Sequence, residues 1–127
     1  MKNLLWAASL ALCAFVNASY ADIALTSKDE IQGTWKLQYT KNTVNARETM
    51  PRVDTWVFKD GKVTILNIPR QDGHYDQPPV TYEIEAGKLK VPYVGRSGFD
   101  LFTLVEHTAD TMTLKAKFGE HYYFVKK

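Results

Sequence analysis

From Gly33 onward the chain alternates apolar and polar residues with a period of two. The stretch GTWKLQYT, residues 33–40, sets Trp35, Leu37 and Tyr39 against Thr34, Lys36 and Gln38, which is the pattern of a strand with one covered face. Similar short runs, separated by turn residues, predict strands at 34–40, 53–59, 62–68, 80–85, 88–94, 99–106, 111–118 and 121–126. Ahead of them, Ser27-Lys-Asp-Glu30 has the S-x-x-E form of a helix capping box, and Gly33 stops the helix within about one turn.

Tight turns set the register. Asp60-Gly61 is a two-residue signal of the type I′ kind, pairing Lys59 with Lys62, Phe58 with Val63, Trp56 with Ile65 and Asp54 with Asn67. Ala86-Gly87 pairs Glu85 with Lys88 and Glu83 with Lys90, while the interleaved Ile84–Leu89, Tyr82–Val91 and Val80–Tyr93 pairs are apolar or aromatic. Opposite charges on one side and hydrophobes on the other suit a half-solvated antiparallel sheet. Gly119-Glu120, read as a third two-residue turn, pairs Phe118 with His121, Ala116 with Tyr123 and Leu114 with Val125.

Antiparallel strands with nearest-neighbour connections and one buried face can close on themselves and so remove exposed edges. The expected fold is all-β: an eight-stranded antiparallel up-and-down (meander) barrel with a short N-terminal helical turn. Gly33-x-Trp35 at the start of the first strand, after a short helical turn, resembles the first signature motif of the lipocalins, and strand count and order look closest to the small bacterial lipocalin-like domains. The resemblance implies a calycin-type barrel and a basic residue of the last strand packed over the tryptophan. Lys126 is the nearest match, although the Gly119-Glu120 register points it outward.

The chain has 127 residues and begins with Lys2, an apolar run from Leu4 to Val16, and small residues before Asp22. Residues 1–21 read as a secretory signal peptide, leaving 22–127 as one domain in the periplasm or outside the cell. No other apolar run reaches bilayer length, so no membrane span is expected. The single cysteine, Cys13, lies in the leader, so the mature domain has no disulfide and depends on packing. With 16 basic and 14 acidic residues there is no clustered cationic excess, which argues against a nucleic-acid partner.

In a meander the loops alternate between the two barrel ends. One end has the tight turns Asp60-Gly61, Ala86-Gly87 and 108–110, and the N-terminal turn can plug it. Loops 41–52, 69–79 and 95–98 meet at the other end, the candidate mouth. The four arginines, Arg47, Arg52, Arg70 and Arg96, all belong to those loops. Their planar donor forks suit carboxylates and phosphates, but loop acids such as Glu48, Asp72, Asp76 and Glu120 can equally pair with them as ordinary surface ions. The registers place Tyr39, Asp54, Asn67, Tyr93 and His121 as a polar and aromatic collar over a floor of Trp35, Phe58, Val63, Ile84, Leu89, Met112 and Val125. A few polar groups above an apolar lining is the usual construction of a small-molecule pocket. The bland alternative is a barrel filled by its own side chains, with the collar bonded to loop backbone.

The expected function is therefore non-catalytic binding of a small hydrophobic, amphiphilic or anionic ligand by Tyr39, Arg47, Arg52, Asp54, Asn67, Arg70, Tyr93, Arg96 and His121, with no cofactor. No nucleophile elbow, phosphate loop or H-E-x-x-H motif occurs. A copper or zinc site from Met50, His74 and His121 is one alternative, and hydrolysis by Asp54 with His121 is another. A different class of reading is a protein-contact module, an exported inhibitor or assembly accessory, using an outward stripe of Lys115, Lys117, Tyr122, Phe124 and Lys126.

Overall fold

The capping box forms as the sequence predicts. In a computed structural model that describes residues 22–127, Lys28–Ile31 make one 3-10 turn whose Ser27 hydroxyl accepts from Asp29 N–H while Glu30 reaches back to the Ser27 N–H. The expected leader lies outside the described residues. Ile31 is fully buried at the barrel end, and its carbonyl accepts from the Trp35 indole N–H at 3.0 Å. Lys28 on the same turn lies 3.8 Å from Glu83, and its carbonyl accepts from the Tyr82 hydroxyl. The N-terminal turn thus plugs the end that carries the tight hairpins.

The strands are β1 (Gly33–Lys41), β2 (Met50–Pro51), β3 (Thr55–Lys59), β4 (Lys62–Leu66), β5 (Ile68–Arg70), β6 (Gly73–Tyr75), β7 (Val80–Thr81), β8 (Glu83–Glu85), β9 (Lys88–Pro92), β10 (Phe99–His107), β11 (Thr111–Lys115) and β12 (His121–Lys126). They run antiparallel in the order β7-β4-β3-β1-β12-β11-β10-β9-β8, with β2 beside β1. The first and last strands of the chain are neighbours, so the sheet wraps into a nearly closed barrel.

The two-residue hairpins at Asp60-Gly61 and Ala86-Gly87 both form. Asp60, Gly61, Ala86 and Gly87 all have positive φ, and the registers Phe58↔Val63, Trp56↔Ile65, Glu83↔Lys90 and Ile84↔Leu89 are those expected. The run 80–85, expected as one strand, divides at Tyr82. Its first half pairs with β4 through Val63↔Val80, and its second half pairs with β9. Tyr82, fully buried, thereby bridges the two edges of the sheet, and the expected Tyr82–Val91 and Val80–Tyr93 pairs do not form. The 67–79 loop contains a small hairpin of its own, β5–β6.

The turn between β11 and β12 departs from expectation. It spans more than two residues: Gly119 N–H donates to Ala116 O and Ala116 N–H to Glu120 O, with Gly119 at φ 97. Leu114 therefore opposes Tyr122 rather than Val125. Three residues is an odd shift, and in a period-two strand an odd shift exchanges the faces. Tyr122, Phe124 and Lys126 turn to the inner side, and His121, Tyr123 and Val125 to the outer.

That exchange brings Lys126 opposite Trp35. Its ammonium lies 4.6 Å from the Trp35 ring centroid and donates to Gln32 O at 3.3 Å, the cation–π contact that the resemblance implies. Gly33 makes room for it. Its φ of +126 disfavours any side chain, and a Cβ there would stand 2.8 Å from Lys126 Nζ. The G-x-W spacing is thus a packing device: glycine yields to the lysine, and two residues on the tryptophan receives it. The rest of the core, including Leu37, Phe58, Val63, Leu89, Leu104, Met112, Leu114 and Phe124, fills the barrel from this end. Expected floor residue Val125 is outside that core, and Ile84 packs on its margin.

Gly33→Ala is expected to destabilise the fold by about 2 kcal/mol from backbone strain, and Lys126→Ala by about 0.5–1 kcal/mol. Because removing Lys126 also removes the clash, urea denaturation of the double variant should show a loss smaller than the sum of the two.

Candidate functional site at the open end

Above the packed core the barrel opens into a cavity of about 320 Å³. Trp56 forms its base at the centre of an aromatic cluster, with Phe124 at 5.0 Å, Phe102 at 5.6 Å and Tyr122 at 6.1 Å between ring centroids, all edge-on. These geometries favour the ring quadrupoles and hold the walls rigid. Ile65 and Val91 complete the apolar lining, and Ile68 and Tyr75 reach it from the β5–β6 region.

Alternation along β3 carries Asp54 inward beside Trp56, where it is only 2% exposed. Arg52 meets it with a two-pronged contact, Nε to Oδ1 at 2.9 Å and Nη2 to Oδ2 at 2.7 Å. The guanidinium remains 22% exposed. A buried carboxylate needs such a partner, so Arg52 is largely committed within the protein. Asp100 enters from β10 by the same alternation that buries Phe102 and Leu104, and it accepts from the Tyr93 hydroxyl at 3.3 Å. Arg96 lies over the Tyr93 ring, its Cζ 4.1 Å from the centroid, with no carboxylate within ion-pair distance among the described residues.

Of the nine residues read from the sequence, Arg52, Asp54, Tyr93 and Arg96 share this cavity. Arg70 is beside it: its guanidinium stacks 4.6 Å from the centre of Tyr75, which is a lining residue, while Arg70 itself borders an adjoining cleft with Gln71, Asp72, Gly73 and His74. Arg47 is exposed on the loop before β2. Asn67 does not face inward as expected. It adopts φ 58 to end β4, and its N–H donates to the Asp76 carboxylate.

Tyr39 and His121 are also displaced from the expected collar. A bulge between Leu37 and Tyr39 sends Tyr39 outward and Thr40 inward. His121 takes the outer face through the β12 register, where its Nδ1 is 2.8 Å from Gly119 O. Tyr39 stacks on Tyr123 at 4.6 Å and His121 lies over the same ring at 6.3 Å. The alternative metal set does not converge either: His74 borders the cleft by Arg70, Met50 is exposed on β2, and His121 is tied to its own turn. Among the described residues no group of three or more His, Cys, Asp or Glu is arranged to hold a metal ion. The outward stripe on β12 is likewise corrected, since Tyr122 and Phe124 face the interior.

Asp100, Phe102, Tyr122 and Trp56 line the cavity but were not among the expected site residues. Asp100 was findable, being two residues before Phe102 on an alternating strand. Tyr122 was not, because its face depends on a turn whose length the dipeptide Gly119-Glu120 does not announce.

No protein-family model matches the chain, and no curated protein matches it either. Its fold is similar to that of an uncharacterized protein from Bacteroides eggerthii known from a crystal structure, with a TM-score of 0.60 and 15% identity over 76% of this chain and 98% of that one. The nearly closed antiparallel barrel of this chain is consistent with a calycin-like barrel. No helix among the described residues is long and apolar enough to cross a membrane.

Removing Arg52 by Arg52→Ala should cost about 3 kcal/mol, because it strands the buried carboxylate. Asp54→Ala should cost less, about 1.5 kcal/mol, since the partly exposed Arg52 side chain can turn to water; chemical denaturation of both variants and the double variant checks the order. Burial pushes the Tyr122 phenol above its usual value, with Glu120, Asp100 and Asp54 adding to the rise and Arg52 opposing it. A raised phenol pKa means stability that is complete below the unfolded value of 10.0 and declines as pH rises through the folded value. Tyr122→Phe should reduce the alkaline loss of stability, and ultraviolet titration should lose one late-ionising phenol while those of Tyr82 and Tyr123, also raised by burial, remain.

Proposed function

We propose that the protein is a non-catalytic barrel that holds one small amphiphilic molecule in the cavity above Trp56, its anionic or strongly polar end directed to the mouth. The observation that carries this reading is the cavity itself: an aromatic and aliphatic lining with a few fixed polar groups, at the low end of the size range of small-molecule sites. Its nearest free donors to a negative group are Arg96 and Arg70. Both are held over tyrosine rings at the mouth instead of in ion pairs, which keeps their forks available. Arg52 positions Asp54 and contributes little net charge of its own. The lipocalin-like G-x-W motif and the lysine over its tryptophan agree with a carrier role, and the apolar run at 4–16 agrees with a periplasmic or secreted location.

No catalytic role is assigned to Asp54 or His121. The carboxylate is held by Arg52 within the barrel while the imidazole is on its outer face, so the two do not form an acid–base pair.

A second reading, a protein-contact module, has one observation in its favour. Phe118 on the β11–β12 turn is 87% exposed, with Lys117 Nζ 5.6 Å from its ring centroid, and Met50 is also largely exposed. Such anchors suit a partner protein.

Titration of a fluorescent fatty acid against wild type and an Arg70→Ala/Arg96→Ala double variant tests the first reading. Binding should weaken by roughly 1.5–3 kcal/mol per charged hydrogen bond lost, with denaturation unchanged because both side chains are exposed. Equal binding by both proteins would make these arginines ordinary loop residues. No binding by wild type would favour the module.

A further inference from the structure

The alternation that buries Phe102 and Leu104 turns Phe99, Leu101 and Thr103 to the outer face of β10, where a solvated wall ordinarily carries polar or charged side chains. Two of the three are apolar. The registers set lysines on both sides of them: Leu101 opposes Lys90 on β9, and Thr103 opposes Lys115 on β11. Between these rows runs a groove of about 400 Å³, with Phe99, Leu101 and Thr103 along its floor and Lys88, Lys115 and Lys117 at its sides. It shares no lining residue with the cavity above Trp56.

The charge of the groove is one-sided. Its lining has three lysines and one carboxylate, Asp22, which lies 3.8 Å from the Lys115 ammonium. Lys88 and Lys117 have no carboxylate within ion-pair distance among the described residues. Their neighbour Lys90 is taken by Glu85 at 2.9 Å and lies over the Phe99 ring. Ammonium groups on either side of an apolar strip call for an occupant with both negative and apolar groups. Width decides its form. β9 and β11 stand two strand spacings apart, about 9.6 Å, which admits one extended chain and excludes a helix about 10–12 Å across. From Phe99 to Thr103 the strip runs about 14 Å, the reach of a short extended segment. A bilayer surface would meet the lysine tips without reaching a strip recessed between them, and a polyanion without apolar groups would leave that strip uncovered.

We infer that this outer groove is a docking site for an extended acidic segment of a partner protein, in which glutamate or aspartate alternates with apolar residues. The apolar side chains cover Phe99 and Leu101. The carboxylates, on the opposite face of the extended segment, are met by ammonium groups that rise on their stems from both sides. Lys115 and Lys117 belong to the stripe expected from the sequence, but β9 and β10 replace β12 as their companions, because Tyr122 and Phe124 face the interior. Binding here does not depend on what the cavity holds.

The test titrates a fluorescein-labelled hexapeptide, alternating glutamate with leucine or phenylalanine, against the whole protein by anisotropy. Wild type should bind it, less tightly as salt is raised, and should bind the glutamine counterpart about tenfold more weakly. Lys88→Glu/Lys117→Glu should also cost about tenfold, since two exposed attractions become repulsions, with the urea midpoint unchanged because neither lysine is ion-paired in the fold. Should that variant lose stability, nitrogen-15 spectra of wild type give a second measurement: the peptide should shift the amide signals of Leu101, Thr103 and Ala116 and leave those of Trp56 and Tyr93 in place. Equal binding by wild type and variant, or shifts confined to the mouth, would overturn the inference. Failure of the peptide to bind would do the same, and if phosphatidylglycerol vesicles then bound wild type but not the variant, the lysines would face a lipid surface instead.

Discussion

The contact of Lys126 with Trp35 ties the last strand to the first, and the register it accompanies decides what the barrel contains. Trp35 is held from three sides: its indole N–H by Ile31 O, its edge by the core, and its face by the Lys126 ammonium, which also donates to Gln32 O. With Lys126 opposite Trp35, residues at even positions of β12 must face inward. Tyr122 and Phe124 then complete the cluster around Trp56. In the alternative register Val125, Tyr123 and His121 would face inward, and Trp56 would lose its Phe124 and Tyr122 neighbours. The closure of the sheet and the lining of the cavity are therefore one decision.

Legibility from the sequence follows the turns. Asp60-Gly61 and Ala86-Gly87 force positive φ at both loop positions, which leaves a single register for the strands on either side. The inward set of β3, β4 and β9 was readable for that reason. The β11–β12 connection also contains glycine, but as the third residue of a longer turn, and glycine supplies positive φ to both kinds. Composition cannot separate them, and the three-residue error exchanged every side chain of β12. The Gln38 bulge acts in the same way within β1. Nothing in Leu37-Gln38-Tyr39 marks it, because the bulge is fixed by the need to pair with β12 on one side and with the Arg52–Asp54 segment on the other. Asn67 leaves the ladder through a conformation that asparagine tolerates better than most residues, a signal present in the sequence but outweighed there by simple alternation.

The mouth shows why counting charges is a poor guide to a site. Four arginines in the loops suggested a basic opening, yet their positions give them different roles. Arg52 compensates Asp54 and is part of the wall. Arg70 and Arg96 lie on Tyr75 and Tyr93, which retains their charge near the opening at small cost in side-chain freedom, since a stacked planar group is already ordered. Asp100 adds a carboxylate to the same cavity. The resulting field is mixed, with a cation at the rim and carboxylates deeper, so it orients a dipolar molecule more than it attracts any anion.

Whether such a barrel is filled or hollow depends on how far its strands extend. At the plugged end the long strands β1 and β10 and the 3-10 turn bring Leu25, Ile31, Trp35 and Leu104 together, and nothing is left open. Toward the mouth β3, β4 and β9 stop after five residues each, and β7 after two, so the wall there is made by loops that lean over Trp56 without reaching it. The cavity exists because the sheet ends one layer before the side chains could close over it. Trp56 stands at that boundary, packed on Phe124 and bordering the cavity. A residue that completes the core on one side and lines the cavity on the other couples the stability of the barrel to whatever occupies its mouth, because a molecule held against that ring is bound by the folded form alone.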